Sequence, residues 1–269
     1  MDSMKGDIRD FAEVLNKMDE STAMPDSVVY RCPICRDTGW ILTDDYARPC
    51  VCRQKAEMER KKQNAGLPPK LSRCSFNSFN LSFYSRELLP EGRVSYHDLA
   101  KRAVDTCSCF VGRVLEGDCS TGLLLTGNAG SGKTHLAASV ANQLLQQGKD
   151  VLFLVVPEFL DQLRNSYRRE NEGLDEAELV KRAYDASVLI LDDLGAHDFT
   201  PWVQSKLFTI INYRINHDLP CVVTTNLDVE ALKDSVGERV FSRLMEGCHF
   251  LQLSVAKDIR FALRTRDLR

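Results

Sequence analysis

Nine consecutive residues near the middle of the chain have the types and spacing needed to hold a nucleoside triphosphate. The glycines let the backbone curl until its N–H groups point at phosphate oxygens, and a helix starting near Gly132 adds its positive end. Lys133 then reaches the β- and γ-phosphates, and the Thr134 hydroxyl ligates Mg²⁺. The residues expected to bind nucleotide are Gly127, Asn128, Ala129, Gly130, Ser131, Gly132, Lys133, Thr134 and His135.

The flanking sequence gives this loop the context that such a site requires. An apolar stretch, Leu123–Leu125, precedes it, and apolar residues at helical spacing follow it at Leu136, Val140 and Leu144. The alternative is a glycine turn that merely joins a strand to a helix. The presence of both flanking elements favours a nucleotide-binding protein.

A second apolar run, Val188–Leu191, is followed by two adjacent carboxylates, as in a Walker B strand. We expect Asp192 to hold Mg²⁺ through water. Asp193 occupies the position of a base or a water-orienting group for in-line attack on the γ-phosphate. This strand therefore supplies the metal side of the predicted site.

A third apolar strand, Cys221–Thr225, ends at Asn226. Ligands of α/β proteins bind at the carboxyl ends of such strands, so this amide fits a sensor of the γ-phosphate or of the attacking water. The alternative is that Asn226 caps the helix beginning near Asp228.

Two arginines, Arg239 and Arg243, are four residues apart and would project from one face of a helix. An arginine on a surface helix can complete the nucleotide site of an adjacent subunit and stabilise charge on the transferring phosphoryl group. The alternative is a solvated or ion-paired helix face.

Four cysteines form two close pairs whose thiolates suit tetrahedral zinc. Zinc can also organise a segment too small to fold on hydrophobic burial alone. A redox dithiol is the main alternative, although no thioredoxin-like βαβ pattern surrounds Cys32, and Cys74 is a candidate replacement for one ligand. The predicted ligands are Cys32, Cys35, Cys50 and Cys52.

Residues 164–169 place basic side chains on either side of Tyr167. Cations can follow phosphates while a ring stacks on a base, as in proteins that bind single strands without sequence preference. An acidic run, Glu170–Glu178, follows directly, so a charge-balanced solvated surface is the alternative.

Composition limits the classes of protein to consider. With 269 residues and 43% hydrophobic content, the chain can bury one sizeable core and carry a smaller module. No apolar run approaches the roughly 18 residues that span a bilayer, and no secretion signal is visible, so we expect a cytoplasmic protein. The net charge of −3 requires any nucleic-acid contact to come from a local patch.

The pattern along the chain predicts two domains, 1–66 and 67–269, separated near the Gly66–Pro69 stretch. The first would contain an amphipathic helix within residues 1–22 and the cysteine pairs. In the second, continuously apolar strands alternate with helices, which predicts an α/β fold with a parallel sheet covered on both faces. The predicted strands are Gly122–Thr126, Val151–Val156, Val188–Leu191 and Cys221–Thr225.

Taken together, the motifs resemble those of bacterial and phage replicative-helicase loaders of the DnaC/DnaI type and of the related IstB-like transposition ATPases, all in the AAA+ class. The resemblance extends over most of the chain. It is carried by Phe76–Phe79, Gly122–Gly127 running into Gly132–Ala137, Leu191–Gly195, Thr224–Leu227 and Ser242–Leu244.

This resemblance implies an ATP-dependent loader that binds a hexameric replicative helicase and single-stranded DNA, with the zinc module docking on the helicase. It further implies that Arg243 is an arginine finger and that residues 159–169 lie in the DNA-contacting region. An arginine acting in trans implies contact between subunits, either by self-association through the ATPase core or only on the helicase. AAA+ relatives often carry glutamate at the position of Asp193, so the shorter aspartate suggests slow, switch-like ATP hydrolysis. Only 26 residues follow Arg243, too few for the usual helical lid, and Arg260 corresponds to the C-terminal arginine of the loaders.

Other functions remain open at this stage. An IstB-like transposition or phage-replication targeting ATPase would share every nucleotide motif. A nucleotide kinase with a zinc-bound lid would carry its cysteines after the phosphate-binding loop, whereas here they precede it. A zinc-binding adaptor with an inactive nucleotide fold is opposed by the retained lysine, hydroxyl and carboxylates.

Overall fold

The computed structural model describes residues 30–43, 46–90, 92–166, 176–195 and 199–266. The chain divides into two compact units, Met1–Lys55 and Ala56–Arg269. The predicted domain boundary after residue 66 stays a prediction, since a helix, α1 at Val51–Asn64, crosses the division between the units. The predicted helix within residues 1–22 lies outside the described residues.

The smaller unit contains a short antiparallel hairpin that the sequence patterns did not predict. Strand β1 at Trp40–Leu42 pairs with β2 at Ala47–Pro49, with Trp40 opposite Pro49 and Leu42 opposite Ala47. The backbone N–H of Cys50 donates to the carbonyl of Gly39 at 2.9 Å, which joins the base of the hairpin to the cysteine pairs. Because the strands have only three residues each, no periodic signal could develop.

The larger unit is built on a five-stranded parallel sheet, as predicted. The spatial order of its strands is β4-β5-β6-β3-β7. The fifth strand was not predicted, because it lies at the edge of the sheet and exposes His249, Phe250 and Gln252 instead of forming a continuous apolar run. The strands are β3 at Gly122–Thr126, β4 at Val151–Val155, β5 at Val188–Asp192, β6 at Cys221–Thr225 and β7 at Cys248–Gln252.

Helices cover both faces of this sheet. Side chains alternate across each strand, so Leu123 and Leu125 of β3 join one hydrophobic cluster with α2 and α3, and Leu124 joins another beneath α4 to α8. The helices are α2 at Tyr96–Glu116, α3 at Lys133–Gln146, α4 at Val156–Ser166, α5 at Glu176–Asp185, α6 at Pro201–Asn216, α7 at Val229–Val236, α8 at Glu238–Gly247 and α9 at Ile259–Arg266.

The connections between strands and helices bring the residues of the predicted nucleotide site to one edge of the sheet. Parallel strands all end at the same edge, so the residues that follow β3, β5 and β6 meet there. After β7, the described chain forms one further helix, α9. No helix among the described residues is long and apolar enough to cross a membrane.

Candidate functional site

The predicted phosphate-binding loop, residues 127–134, joins the end of β3 to the first turn of α3, as the sequence predicted. At two positions the backbone conformation and the close neighbours favour glycine. Gly127 has φ +140°, and an added Cβ would lie 1.8 Å from the carbonyl oxygen of Leu253. Gly130 has φ +71°, and its Cβ would lie 2.0 Å from the Asp258 carboxylate. The N-terminus of α3 therefore opens toward a tightly curved loop that can accept an anion.

Lys133 lies at the first position of α3 and is almost fully buried. Its Nζ donates to the carbonyl oxygens of Gly127 at 2.7 Å and Asn128 at 2.9 Å, and to Ser131 Oγ at 3.3 Å. Burial lowers the pKa of Lys133 to about 8, although the carboxylates of the Walker B strand oppose this shift. The ammonium is thus held against the loop, and binding of a phosphate oxygen must replace at least one of these hydrogen bonds.

We expect nucleoside triphosphate affinity to fall above about pH 8, because Lys133 loses its charge there. Phosphate oxygens favour the ammonium and raise its pKa in the complex, so binding takes up a proton above the free-state pKa and the Kd rises by up to about tenfold per pH unit. Calorimetry between about pH 7 and about pH 9.5 measures this effect. A Kd that stays constant over that range would contradict it, and a Lys133→Met variant should show no such slope.

Two threonines fix the carboxylate of Asp192 at the end of β5. Its Oδ1 accepts hydrogen bonds from Thr134 Oγ1 at 3.0 Å and from Thr224 Oγ1 at 2.6 Å. Burial raises the pKa of Asp192, and these two donors partly offset that effect. The loop hydroxyl and the Walker B carboxylate, which the sequence predicted as partners, are therefore in direct contact.

Asp193 and Asn226 also meet at this edge. Asn226 Nδ2 donates to Asp193 Oδ1 at 2.7 Å, and the Asp193 backbone has φ +63°. The alternative role of Asn226 as a helix cap is wrong, since Asp228 caps α7 by accepting a hydrogen bond from the N–H of Ala231. A positive φ is costly for a residue with a side chain, so the turn holds the Asp193 carboxylate in place at some cost in backbone strain.

The segment after β7 is hydrogen-bonded to the phosphate-binding loop along most of its length. The Asn128 side chain donates to the carbonyl of Val255 at 2.8 Å and accepts from its N–H at 3.0 Å. The N–H of Ile259 donates to the carbonyl of Gly130 at 3.2 Å. Sequence reasoning missed this contact, because residues more than a hundred positions apart leave no local pattern.

A second segment, residues 75–84, contacts the loop and the first turn of α3. Tyr84 Oη donates to the carbonyl of Ser131 at 2.6 Å. His135 Nε2 lies 3.1 Å from Ser78 Oγ, and the Phe79 ring packs edge-on against the His135 ring at 5.5 Å. Phe79 was identified by resemblance alone, and the structure shows that it packs beneath the loop. His135 thus joins this segment to the first turn of α3.

The three candidate arginines have different surroundings. Arg239 places its guanidinium 4.0 Å from the Phe208 ring centroid, which fits the alternative of a packed helix face. Arg243 is partly exposed and forms an ion pair with Glu246 of the same helix at 2.7 Å. Arg260 is the second residue of α9, and the N–H of the preceding Ile259 donates to the carbonyl of Gly130 in the loop.

The four predicted zinc ligands converge within the smaller unit. All four sulfur atoms lie within 4.8 Å of one another, with Cys32 and Cys50 3.7 Å apart and Cys35 and Cys52 3.3 Å apart. Four sulfurs around one zinc would be separated by about 3.8 Å, so the donor set fits the ion. Cys74 does not belong to this group; it packs against the core of the larger unit.

The pKa values of two thiols in this cluster are shifted in opposite directions. Burial alone would raise the pKa of Cys35, but the hydrogen bond with Cys52 and the N–H of Gly39 lower it to about 7. The same bond with Cys35 raises the pKa of Cys52 to about 12. Such a cluster holds thiolate charge that a divalent cation would neutralise on replacing the protons.

The segment predicted to contact DNA is residues 164–169. It lies outside the residues whose side chains the structure describes. The upstream part of the same helix packs into the core through Phe159, Leu160 and Leu163.

The model of the IstB-like ATP binding protein family matches residues 117–261, more than half of the chain. The chain belongs to this family. The matched region begins before the phosphate-binding loop and ends within α9, so it includes the loop, the Walker B strand and Asn226.

Individual relatives carry more specific names. The replicative helicase loader DnaC of Escherichia coli K12 is 26% identical over 191 residues, which are 71% of each protein. The replicative helicase loader DnaI of Bacillus subtilis is 35% identical over 114 residues, 42% of this chain and 35% of that protein. A crystal structure of DnaI is similar with a TM-score of 0.55 at 24% identity, covering 70% of this chain and 95% of the other. The chain thus shares its fold with that protein.

Proposed function

We propose that the chain is an ATP-dependent loader that binds a replicative DNA helicase and single-stranded DNA during replication initiation or restart. The observation that carries this proposal is the meeting of Lys133, the Thr134–Asp192 pair and the Asp193–Asn226 pair at one edge of a family-typical sheet. Sequence similarity to DnaC and DnaI supports the choice of a helicase as the partner.

In this proposal the loop residues bind ATP or ADP. Thr134 and Asp192 would hold Mg²⁺, and their exclusively oxygen donors suit that ion. When bound, the ion would neutralise charge on the phosphates. Asp193 would accept a proton from the attacking water or would orient that water. Asn226, which is hydrogen-bonded to Asp193, would act as the sensor of the γ-phosphate. Turnover is expected to be slow, as in a switch.

The role of Asp193 can be tested with the Asp193→Asn variant. Asparagine has the same shape and tolerates positive φ, so the turn is preserved while the base is lost. We expect kcat for ATP hydrolysis to fall by about 10²-fold with little change in Mg–ATP affinity. Undiminished turnover would remove Asp193 from catalysis, and the Asp234→Asn variant on α7 serves as the matched surface control.

Arg243 is proposed to act on the nucleotide of a neighbouring subunit. Its pairing with Glu246 leaves it on the exposed side of α8, where a second protomer could reach it. ATPase activity of Arg243→Ala should be restored when the variant is mixed with Lys133→Ala subunits. In the mixture, the Lys133→Ala subunit supplies Arg243 to the intact nucleotide site of the Arg243→Ala subunit. Failure of any such mixture to recover activity would contradict an action in trans. The same mixing with Arg239→Ala and Arg260→Ala tests whether either arginine acts on the nucleotide of the neighbouring subunit.

The helicase-binding role is assigned to the N-terminal helix and the cysteine module. The solution mass of the chain should be measured alone and then with its cognate hexameric helicase and Mg–ATP. We expect a complex with helicase that depends on nucleotide. If the chain shows no measurable ATP affinity in magnesium, the loader proposal fails as a whole.

A second function is favoured by the family description itself. An IstB-like transposition or phage-replication targeting ATPase would share the nucleotide site but would bind no replicative helicase. Pull-down with host and phage helicases separates the two functions, since complete failure to bind any helicase favours the targeting ATPase.

We expect the purified chain to contain about one zinc ion per chain, held by the four cysteines. Changing Cys35 to serine should abolish stoichiometric zinc, measured by plasma mass spectrometry, because three thiolates bind it far more weakly. Changing the exposed Cys109 to serine should leave the zinc content unchanged. Equal zinc in both variants would contradict the assignment.

A further inference from the structure

The phenol of Tyr84 makes a hydrogen bond to the phosphate-binding loop that the nucleotide motifs do not explain. The Tyr84 side chain is almost fully buried, and its Oη donates to the carbonyl oxygen of Ser131 at 2.6 Å. Burial raises the pKa of Tyr84, so the hydroxyl stays protonated and remains a donor at neutral pH. One carbonyl of the loop is therefore held by a residue that lies outside the loop.

The peptide between Ser131 and Gly132 has its two polar groups on opposite sides. It is a trans peptide, in which the C=O and N–H bonds point in opposite directions. Because the Ser131 carbonyl is directed at Tyr84, the Gly132 N–H points away from Tyr84. Within the part of the chain that the structure describes, no group accepts a hydrogen bond from this N–H. An N–H in this position of a phosphate-binding loop is available to an anion.

The backbone of Gly132 does not by itself fix this orientation. Gly132 has φ +92°, and glycine populates positive and negative φ about equally. A half-turn of the Ser131–Gly132 peptide takes φ of Gly132 to the negative side at little cost. That half-turn would direct the Ser131 carbonyl toward the expected position of a phosphate, where two oxygens repel each other. The Tyr84 hydrogen bond opposes the half-turn.

The position of the Tyr84 ring does not depend on its hydroxyl. The Phe79 ring stacks on the Tyr84 ring with 5.4 Å between their centroids. Asn142 of α3 donates to the carbonyls of Leu71 and Cys74, both at 2.8 Å, and so fixes the chain that leads into residues 75–84. Removal of the hydroxyl alone should therefore leave this segment packed against α3.

We propose that Tyr84 is a positioning residue of the nucleotide site. Its hydroxyl holds the Ser131–Gly132 peptide in the orientation that presents the Gly132 N–H to a phosphate oxygen. The loop is then ordered on folding and not on binding, so the nucleotide does not have to compensate for that ordering. This inference rests on the ATP binding of the proposed function and is independent of the choice of helicase as partner.

The Tyr84→Phe variant removes the hydroxyl and keeps the stacked ring. Calorimetry of the full chain should show Kd values for Mg–ATP and Mg–ADP that are about threefold to tenfold higher, because a neutral hydrogen bond that orders the loop is lost. Both nucleotides are affected, since both carry the phosphates that the loop backbone contacts. Equal Kd values for the variant and the unaltered chain overturn the proposal. If the unaltered chain binds neither nucleotide, the ATP-binding function itself fails, which is a different result.

The Asn142→Ala variant separates positioning of the peptide from docking of the segment. It removes two hydrogen bonds to the chain before residue 75 but leaves the bond between Tyr84 and Ser131. We expect Asn142→Ala to lower Tm at least as much as Tyr84→Phe and to change the nucleotide Kd by less than about twofold. If both variants weaken nucleotide binding in proportion to their fall in Tm, docking of the segment explains the effect and the proposal is overturned.

The Gly132 amide can be observed on its own by NMR, because the chain contains a single Ser–Gly pair. With serine labelled at its carbonyl carbon and glycine at its nitrogen, a triple-resonance spectrum shows only the Ser131–Gly132 peptide. Mg–ADP should move this amide proton downfield in the unaltered chain, because the N–H gains a charged acceptor. In free Tyr84→Phe the signal should be displaced or broadened by exchange between two peptide orientations, whereas free Asn142→Ala should give the signal of the unaltered chain. Identical signals from all three free proteins, or no movement on binding in the unaltered chain, overturn the proposal.

Discussion

Replacing Lys133 by alanine should weaken Mg–ATP binding by about 10²-fold, because the charge-assisted hydrogen bonds that this buried lysine makes to the phosphates are lost. Each such bond contributes about 1.5 to 3 kcal/mol, and the ammonium can make more than one. ATP hydrolysis should fall at least as far, since charge on the transferring group is also left without its cation. Titration with a fluorescent ATP analogue measures the Kd.

The matched control is Lys101→Ala, which removes the same charge from the exposed surface of α2. It should change nucleotide affinity by less than about twofold, since exposed charges are screened by solvent. If the Lys133 and Lys101 variants bind ATP equally well, the loop does not bind phosphate in the way proposed. Thermal unfolding of both variants checks that the fold is retained.

The groups that the sequence predicted correctly are those encoded by a local pattern. The strand, loop and helix around Gly132 follow from backbone requirements that only glycine meets, so composition and spacing were sufficient. The position of Asp192 and Asn226 at one edge of the sheet was predicted correctly, because Asp192 ends one apolar strand, Asn226 follows another, and parallel strands end at a common edge. Those rules need no knowledge of distant residues.

The contacts that the sequence did not predict are long-range. Val255 holds Asn128 from a segment that comes after the last strand, and Tyr84 holds Ser131 from a segment before the first core strand. In each contact a side chain meets a backbone group, and every residue type supplies such a backbone group, so the residue types do not reveal the pair. The loop is therefore hydrogen-bonded to one segment that precedes β3 in the sequence and to another that follows β7.

Arg214 of α6 is the largest fully buried side chain in the described core, and it had no signal in the sequence. One guanidinium nitrogen donates to the carbonyls of Ala183 at 2.9 Å and Ala186 at 2.8 Å, and the other to that of Pro220 at 3.0 Å. The arginine thus satisfies the C-terminal end of α5 and joins it to the starts of β5 and β6. Those two strands carry Asp192 and Asn226 at their other ends.

Changing Arg214 to methionine should lower the free energy of unfolding by about 3 to 5 kcal/mol, because several buried carbonyls lose their donor at once. The corresponding fall in Tm is roughly 6 to 20 °C, measured by calorimetry or by denaturant unfolding. Arg214→Lys should recover little, since one ammonium cannot reach carbonyls on three elements. The control is Arg113→Ala, whose side chain donates to the single carbonyl of Asp118 near the surface and should cost less than about 1 kcal/mol. Equal stability of the Arg214→Met and Arg113→Ala proteins would show that the buried network contributes no net stability, in which case the carbonyls at the starts of β5 and β6 must be satisfied by water.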